Sequence, residues 1–224
     1  MTAGGGLVLA IDTSTRGGSV AIGEEGGALL EAVHLDPERG HGSDLMLCIE
    51  RLVPDPARLR RVCVSRGPGS YTGLRVGLAT AIGITRGTRA VLAGVGSLEA
   101  HALAAAPAGE RDVAVLRFAF GGQVYAGRYD LSGSASRPRV VEAPHVVPAI
   151  EAPAWCEGCT AVVGDPRALE LVAELELPLI ERGRPLAEAV LEIGAALEPG
   201  DPGPGPEAAS PLYLRAFEAK NRRR

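Results

Sequence analysis

The sequence predicts an α/β protein made of two lobes with a similar order of elements, the second lobe smaller than the first. Two observations carry this prediction. The chain opens with three apolar segments between residues 7 and 35 that are typical of consecutive strands, and a similar run of three begins at residue 112. Helical and strand patterns alternate after each run, as in sheets covered by helices. We therefore place a first lobe at residues 1–108 and a smaller second lobe at 109–224.

The first lobe is predicted to continue beyond its three strands with alternating helices and strands. Its expected elements are strands at 7–11, 19–23 and 28–35, a helix at 41–53, a strand at 61–65, a helix opening near Ser70, a strand at 90–94 and a helix at 97–105. Hydroxyl side chains at Ser43, at Ser70 or Thr72, and at Ser97 are expected to cap the helices. In the first helix, Leu45, Ile49 and Leu52 fall on one face.

The helix after Gly67-Pro-Gly69 has an unusual pattern of small residues. Leu74 and Leu78 recur at helical spacing, and Gly73, Gly77 and Ala81 form a smooth stripe beside them. Each glycine costs a helix about 1 kcal/mol relative to alanine, so two of them one turn apart indicate close approach of another backbone. That backbone belongs either to the protein's own sheet or to a partner.

The second lobe is predicted to begin with the same run of three strands as the first and then to have fewer elements. Its expected elements are strands at 112–118, 123–130, 138–143 and 160–164, a short helix at 168–175 and a helix at 186–197. The Pro/Gly-rich stretch 199–206 is predicted to be a loop. The chain closes with Pro211-Leu-Tyr-Leu-Arg215 and a basic tail, Lys220–Arg224, for which a solvated end and contact with RNA phosphates are both open.

The composition argues against a membrane-spanning protein and against nucleic-acid binding through overall positive charge. Hydrophobic residues make up 46% of the 224 residues, enough for a sizeable core, and the net charge of −4 provides no global basic field for nucleic acid. No apolar run approaches the roughly 20 residues needed to cross a bilayer. We expect a soluble cytoplasmic protein without membrane contact.

Four cysteines are too few and too unevenly placed for a disulfide framework. Cys48 and Cys63 lie in apolar periodic segments, where a thiol behaves as a small hydrophobe. Cys156 and Cys159 form a Trp-Cys-x-x-Cys sequence, but we expect it in a loop rather than at the start of a helix, where a redox thiolate would be stabilised. A redox role and half of a zinc site are the minor alternatives.

Nucleotide chemistry is suggested by the turn Asp12-Thr13-Ser14-Thr15 between the first two strands. One acid and three hydroxyls could bind phosphate oxygens or a metal-bound water, as in the actin and sugar-kinase fold, although hydroxyls that close their own hairpin explain the turn equally well. The corresponding hairpin 118–123 of the second lobe contains glycines but neither an acid nor a cation. His101 alone is not a metal site, and we expect it to be solvated or capped.

These residues together resemble a known family. The stretches Ala10–Thr15, Gly67–Gly77, Gln123–Tyr125 and Pro211–Arg215, with the helix at His41, are similar to those of the bacterial tRNA threonylcarbamoyladenosine biosynthesis family TsaB, also called YeaZ. Among them, the Gly67–Gly77 stretch is the most specific. The resemblance implies an actin-like/sugar-kinase-like (ASKHA) fold with two lobes, the second reduced.

The resemblance also implies a function. It implies a dimerisation subunit, itself non-catalytic and without a metal of its own, in the complex that makes N6-threonylcarbamoyladenosine in tRNA. The paralogue TsaD would transfer the threonylcarbamoyl group and hold the metal, and the ATPase TsaE would bind ATP. The chain would reach tRNA through the complex and form a homodimer in isolation. The expected partner interface comprises Leu45, Ile49, Leu52, Gly73, Leu74, Gly77, Leu78 and Ala81.

Two rival functions come from other classes. An autonomous ATPase or phosphotransferase of the same fold would use the turn at Asp12. A metal-dependent peptidase would need more ligands than His101, because Ser97 stands where the catalytic paralogue has the first histidine of a His-x-x-x-His pair.

Overall fold

Two five-stranded mixed sheets form the framework of the protein in a computed structural model, which describes residues 5–37, 41–106, 109–133, 137–181, 183–198 and 210–214. The first sheet has the order β3-β2-β1-β4-β5. Its strands are β1 (Leu7–Asp12), β2 (Ser19–Glu24), β3 (Leu29–His34), β4 (Leu59–Ser65) and β5 (Val91–Val95). β1 pairs antiparallel with β2 and parallel with β4, so β1 lies at the centre of the sheet.

The second sheet repeats this topology. Its strands are β6 (Val113–Ala119), β7 (Gln123–Asp130), β8 (Arg139–Pro148), β9 (Ala161–Gly164) and β10 (Leu179–Ile180), in the order β10-β9-β6-β7-β8. β6 is its centre, antiparallel to β7 and parallel to β9, as β1 is to β2 and β4. Both sheets therefore have the same connectivity, as expected from the repeated run of three strands.

Helices cover both faces of the first sheet. α1 (His41–Leu52) and α2 (Tyr71–Gly87) pack with alternate residues of β1, including Leu9 and Ile11, in one core cluster. The other alternate residues, Val8 and Ala10, pack against α6 (Leu186–Ala195). Because successive strand residues point to opposite faces, the continuous apolar run Leu7–Ile11 of β1 follows directly from this two-sided burial.

α6 reaches the first sheet from the second half of the chain. The hydroxyl of Ser19 accepts a hydrogen bond from the backbone N–H of Ala187 at 3.0 Å, near the start of α6. At its end, the guanidinium of Arg61 donates to the carbonyls of Ala195 at 3.2 Å and Leu197 at 2.9 Å, where the helix dipole favours a cation. The division at residue 108 thus separates the strands of the two sheets but not their helices.

The crossover helices of the second sheet are short, which makes this half smaller. α4 (Ala152–Trp155) and α5 (Pro166–Glu170) stand in the places of α1 and α2. α4 is a difference from prediction, since we expected only loop between residues 148 and 155. β8 extends to Pro148, five residues past its predicted end, because its pairing with β7 continues to Gln123.

α3 (Ser97–Ala105) packs against the second sheet and against α6. Its N-cap is Gly96 rather than Ser97, because Ser97 is engaged elsewhere. The Ser97 hydroxyl accepts from the N–H of Gly67 at 3.1 Å, and the Ser97 N–H donates to the carbonyl of Gly67 at 2.9 Å. These reciprocal bonds fix the turn before α2 to the start of α3.

Some predictions concern residues outside the described ranges. These are the loop 199–206 and the tail 220–224. The backbone of Ser43 is described but its side chain is not, so its capping role stays a prediction. Across the described ranges, no helix combines the length and apolar character that a membrane span requires.

Candidate functional site

The turn after β1 is bound to itself and to the start of α2. Oδ1 of Asp12 accepts hydrogen bonds from the backbone N–H of Ser14 at 3.3 Å and from its hydroxyl at 2.7 Å. The hydroxyl of Thr13 donates to the carbonyl of Gly73 at 2.8 Å, and the N–H of Ser70 donates to the carbonyl of Ser14 at 2.8 Å. Two of the three predicted phosphate-binding hydroxyls are therefore used inside the protein, and only Thr15 stands half-exposed at the edge of the turn.

The small-residue stripe of α2 faces this same turn. A Cβ built on Gly69 would lie 2.5 Å from the carbonyl oxygen of Ser14, and one on Gly73 or Gly77 would overlap Thr13. Gly69, Gly73 and Gly77 are thus required because α2 and the residues before it lie directly on the Asp12–Ser14 turn. Of the two open alternatives, the backbone that approaches α2 belongs to the protein's own first lobe.

This packing corrects the residues predicted for the partner interface. All eight lie inside the core: Leu45, Ile49, Leu52, Gly73, Leu74, Gly77, Leu78 and Ala81 are buried. Residues in the core cannot offer a docking surface while the helices stay on their sheet. The opposite sides of the same helices are exposed, with Met46 and Leu47 on α1 at 41% and 60% of their full accessible area, and Ala79 and Gly83 on α2. We call these four residues the outward face of α1 and α2.

The cleft between the two sheets contains a cation that the sequence analysis missed. Two cavities of about 590 and 980 Å³ both have Thr15, Arg16, His101 and Arg117 in their walls, so they form one continuous cleft. Arg117 lies one residue before the hairpin 118–123, which contains neither an acid nor a cation. It follows the buried run Val113–Leu116 of β6 as Asp12 follows the buried run Leu7–Ile11 of β1, and this correspondence was the available signal.

Arg117 lies between carboxylates of both lobes. Its Nε is 3.5 Å from Oδ2 of Asp165, and the charge of Asp12 also acts on it. Burial lowers the pKa of Arg117, while Asp165 and then Asp12 raise it. Burial, and secondarily the charge of Arg117, hold the pKa of His101 well below its usual range. His101 is therefore a neutral, partly buried side chain of the cleft, not the solvated or capped residue that we expected.

The carboxylates of the cleft are partly engaged by groups of the chain itself. Oδ2 of Asp12 is buried without a hydrogen-bond partner among the described residues and would suit a metal-bound water. The positive charge near this carboxylate is, however, already supplied by Arg117. Oδ2 of Asp165 accepts from the N–H of Phe118 at 2.7 Å, and its Oδ1 accepts from that of Ala168 at 3.1 Å. Phe118 is itself covered by the guanidinium of Arg167, 3.7 Å from the ring centroid.

The four cysteines are free thiols. Burial raises the pKa of Cys63 and Cys156 to about 12 and that of Cys159 to about 11. Since the thiolate is the reactive form, none of these three is activated at neutral pH. Among the described residues, no three His, Cys, Asp or Glu side chains are grouped as ligands of a metal ion.

The closing segment 210–214 packs across the start of α2. The N–H of Leu212 donates to the carbonyl of Arg66 at 2.6 Å. Nε of Arg75 donates to the hydroxyl of Tyr213 at 3.0 Å, and the Tyr213 ring lies 5.3 Å from that of Tyr71. The similarity of this segment to the TsaB family therefore coincides with a contact to the Gly67–Gly77 stretch.

Comparisons with known proteins agree on one family. A family model described as TsaD, tRNA N6-adenosine threonylcarbamoyltransferase, matches residues 36–149, just over half of the chain. A crystal structure described as an uncharacterised protein with similarity to peptidase YeaZ, from Pseudomonas aeruginosa, is 25% identical with a TM-score of 0.75 and covers 94% of this chain and 100% of its own. A comparison with curated protein sequences gives no match.

A second structure, YeaZ from Pseudomonas aeruginosa, has the same TM-score of 0.75 at 23% identity and covers 93% of this chain and 100% of its own. The two-lobe actin-like/sugar-kinase-like fold predicted from the sequence is confirmed, with both sheets in the same strand order. The chain belongs to the TsaD family, and within it to the TsaB (YeaZ) branch, which is related to the synthesis of threonylcarbamoyladenosine in tRNA.

Proposed function

We propose that this protein is a non-catalytic accessory subunit of the tRNA threonylcarbamoyladenosine synthesis complex, and that it binds a TsaD-type paralogue through the outward face of α1 and α2. The observation that carries the proposal is the exposed apolar character of this face. Leu47 is 60% exposed and Met46 41%, although both belong to a helix that buries three other apolar side chains on its inner side.

The outward face also allows a second helix to come close. No atom lies within 4 Å of a Cβ built on Gly83, and Ala79 is exposed one turn earlier. The distance between packed helices depends on the side chains at the contact, so small residues permit close packing. Met46 and Leu47 supply apolar area beside this smooth strip.

A partner of the same fold would present equivalent helices. Two related lobes could then pack through a pseudo-twofold contact, and two copies of this chain could do the same when the paralogue is absent. We propose that ATP and the metal ion are held by the partner subunits, that a TsaE-type ATPase joins them, and that tRNA is bound through the assembled complex. The cleft chemistry supports this division, since Arg117 already supplies positive charge near Asp12.

The test places a charge on the outward face. We expect Leu47→Glu to weaken co-purification with the TsaD-type paralogue at least about tenfold, because an unpaired carboxylate is costly to bury in an interface. In cells depleted of this protein, nucleoside analysis of tRNA should show loss of threonylcarbamoyladenosine. The unsubstituted protein should restore it and Leu47→Glu should not.

Val141→Glu is the matched control, because Val141 is 44% exposed on β8 of the other sheet. It should bind and complement normally. Undiminished binding by folded Leu47→Glu protein would contradict the interface, and unchanged threonylcarbamoyladenosine after depletion would contradict the function. Nucleotide turnover by the isolated chain that is abolished by Asp12→Ala would favour the autonomous ATPase or phosphotransferase.

A further inference from the structure

The exposed side of α2 continues beyond Ala79 and Gly83 to Arg75. These three residues are exposed and follow one another at intervals of four, so they lie on the same side of the helix. Arg75 thus stands one turn before the small residues of the outward face of α1 and α2. A partner helix that packs along this side would reach the guanidinium of Arg75.

Two tyrosines hold this guanidinium in place. Its Nε donates a hydrogen bond to the hydroxyl of Tyr213 at 3.0 Å, and its Cζ lies over the ring of Tyr71, 3.9 Å from the centroid. The stacking fixes the plane of the guanidinium, and the hydrogen bond fixes its direction within that plane. The side chain of Arg75 is therefore ordered although it is exposed.

The closing segment 210–214 brings Tyr213 to the start of α2. The N–H of Leu212 donates to the carbonyl of Arg66 at 2.6 Å, and the carbonyl oxygen of Leu212 lies 2.8 Å from a Cβ built on Gly67. A side chain at residue 67 would collide with the segment, and the φ of +110° there also favours glycine. The turn before α2 is thus shaped to seat the segment that carries Tyr213.

The positive charge of Arg75 is not balanced within the described part of the chain. The hydrogen bond to Tyr213 raises the pKa of Arg75, and no carboxylate is among the groups that act on it. Because Nε is used for Tyr213, Nη1 and Nη2 form the pair that can donate to an anion. Two nitrogens of one guanidinium match the two oxygens of a carboxylate in parallel hydrogen bonds.

We propose that Arg75 is the charged residue of the partner interface and binds a carboxylate of the TsaD-type paralogue through Nη1 and Nη2. This inference rests on the proposed function, since it places the carboxylate beside the outward face of α1 and α2. Arginine and tyrosine are enriched among the residues that dominate the binding energy of interfaces. An ordered guanidinium also loses little side-chain freedom when the partner binds. Tyr213 acts through Arg75 and is a positioning residue.

A carboxylate of a protein partner fits this surface better than an RNA phosphate. RNA binding gains its affinity from several phosphates that are each neutralised by a cation. The outward face beside Arg75 consists of four uncharged residues, and the whole chain has a net charge of −4. One guanidinium at the edge of an apolar face is instead typical of a protein interface, which has an apolar centre and a polar rim.

The test measures the dissociation constant of the full chain and the purified paralogue by calorimetry at about 50 mM and about 500 mM salt. Arg75→Gln should weaken binding at least about tenfold at the lower salt concentration and less at the higher, because salt screens an ion pair at the rim of an interface. Arg75→Lys keeps the charge but lacks the paired nitrogens, so it should restore only part of the affinity. The control Arg111→Gln removes the same charge from an exposed position before β6 and should bind normally.

Tyr213→Phe tests the positioning of the guanidinium. It keeps the ring and removes the acceptor for Nε, so binding should weaken at least about threefold. In Arg75→Gln protein the same substitution should have no further effect, because Tyr213 acts through Arg75. Equal losses of affinity in both backgrounds would show a merely structural role and would contradict the positioning.

The outcomes separate this inference from the proposed function. If Arg75→Gln binds the paralogue like Arg111→Gln while Leu47→Glu binds weakly, the inference is overturned and the interface stands. If Leu47→Glu also binds normally, both fail. Unchanged affinity for the paralogue with weaker tRNA binding by the assembled complex would assign Arg75 to an RNA phosphate, and an effect confined to dimers of this chain would assign it to a second copy. Either result overturns the inference.

Discussion

Gly73 and Gly77 show how single residues connect the helix α2 to the turn after β1. Both approach Thr13 so closely that a Cβ would overlap it, whereas Gly83 on the same helix has open space around it. The same residue type therefore has two different roles within three turns, one imposed by packing and one permitted by exposure.

We expect Gly73→Ala to destabilise the protein by about 1–3 kcal/mol, because the new methyl group displaces the carbonyl of Thr13. Gly83→Ala should instead stabilise it by up to about 1 kcal/mol through helix propensity alone. Urea unfolding of the two variants measures both changes. Equal effects of the two substitutions would contradict the packing of α2 on the turn.

The spacing of these glycines was evident in the sequence, but their partner was not. Helical periodicity shows which residues share a face, and it does not show what covers that face. Thr13 is 60 residues from Gly73, so only the folded chain brings them together. Arg117 was missed for a related reason, since its importance comes from Asp165, which is 48 positions away in sequence and 3.5 Å away in space.

The helix α6 shows the same limit for a whole element: the sequence predicted its residues but not its packing partner. Its position was predicted within two residues, yet the sequence did not show which sheet it covers. Six of its ten residues are buried, so it lacks a single apolar stripe that would indicate one neighbour. It lies between the first sheet and α3, and both sides must be apolar.

Residues 1–106 alone should therefore fail to form a stable domain. Val190, Leu191 and Ile193 each contribute about 1.5–3 kcal/mol when buried, and together they approach the whole stability of a typical domain. Circular dichroism and chemical-shift dispersion of the fragment should show incomplete folding. A peptide of residues 183–198 should restore it, and a scrambled peptide should not. Cooperative folding of the fragment alone would contradict this dependence on α6.

At the scale of the whole molecule, α3 joins the two halves and places one titratable group on each side. His101 lines the cleft, and Glu99 lines a separate cavity of about 770 Å³ on the other side of α3. The pKa of Glu99 rises from an ordinary value of 4.5 to about 7, so the folded state holds a proton that the unfolded state has lost between these values. Stability from Glu99 is present below about pH 4.5 and is lost as the pH rises through 7.

Replacing Glu99 by Gln should remove this loss of unfolding free energy, which amounts to about 3 kcal/mol between about pH 4.5 and pH 7. His101 has the opposite slope, because its lowered pKa makes the unfolded state bind more protons. The difference between the unfolding free energies of Glu99→Gln and the original protein therefore isolates Glu99. Glu50→Gln, at an exposed position on α1, is the control and should show no such difference. Parallel pH profiles for both variants would contradict the burial of Glu99.

The repeated architecture was predictable because each half opens with the same run of strands. The relation between the halves was not, since it depends on α6 returning to the first sheet. β10 was not predicted either, because a strand of two residues carries no periodicity. The similarity to a known family predicted the fold correctly. The most specific stretch of that similarity, Gly67–Gly77, largely makes contacts within the chain.

The bonds between the Asp12–Ser14 turn and α2 also have a mechanical consequence. The hydroxyl of Thr13 donates to the carbonyl of Gly73, and the carbonyl of Ser14 accepts from the N–H of Ser70. Gly73 and Gly77 also lie in direct contact with the turn. A shift of α2 along the first sheet would have to break these bonds, so the helix and the turn at the floor of the cleft form one packed unit.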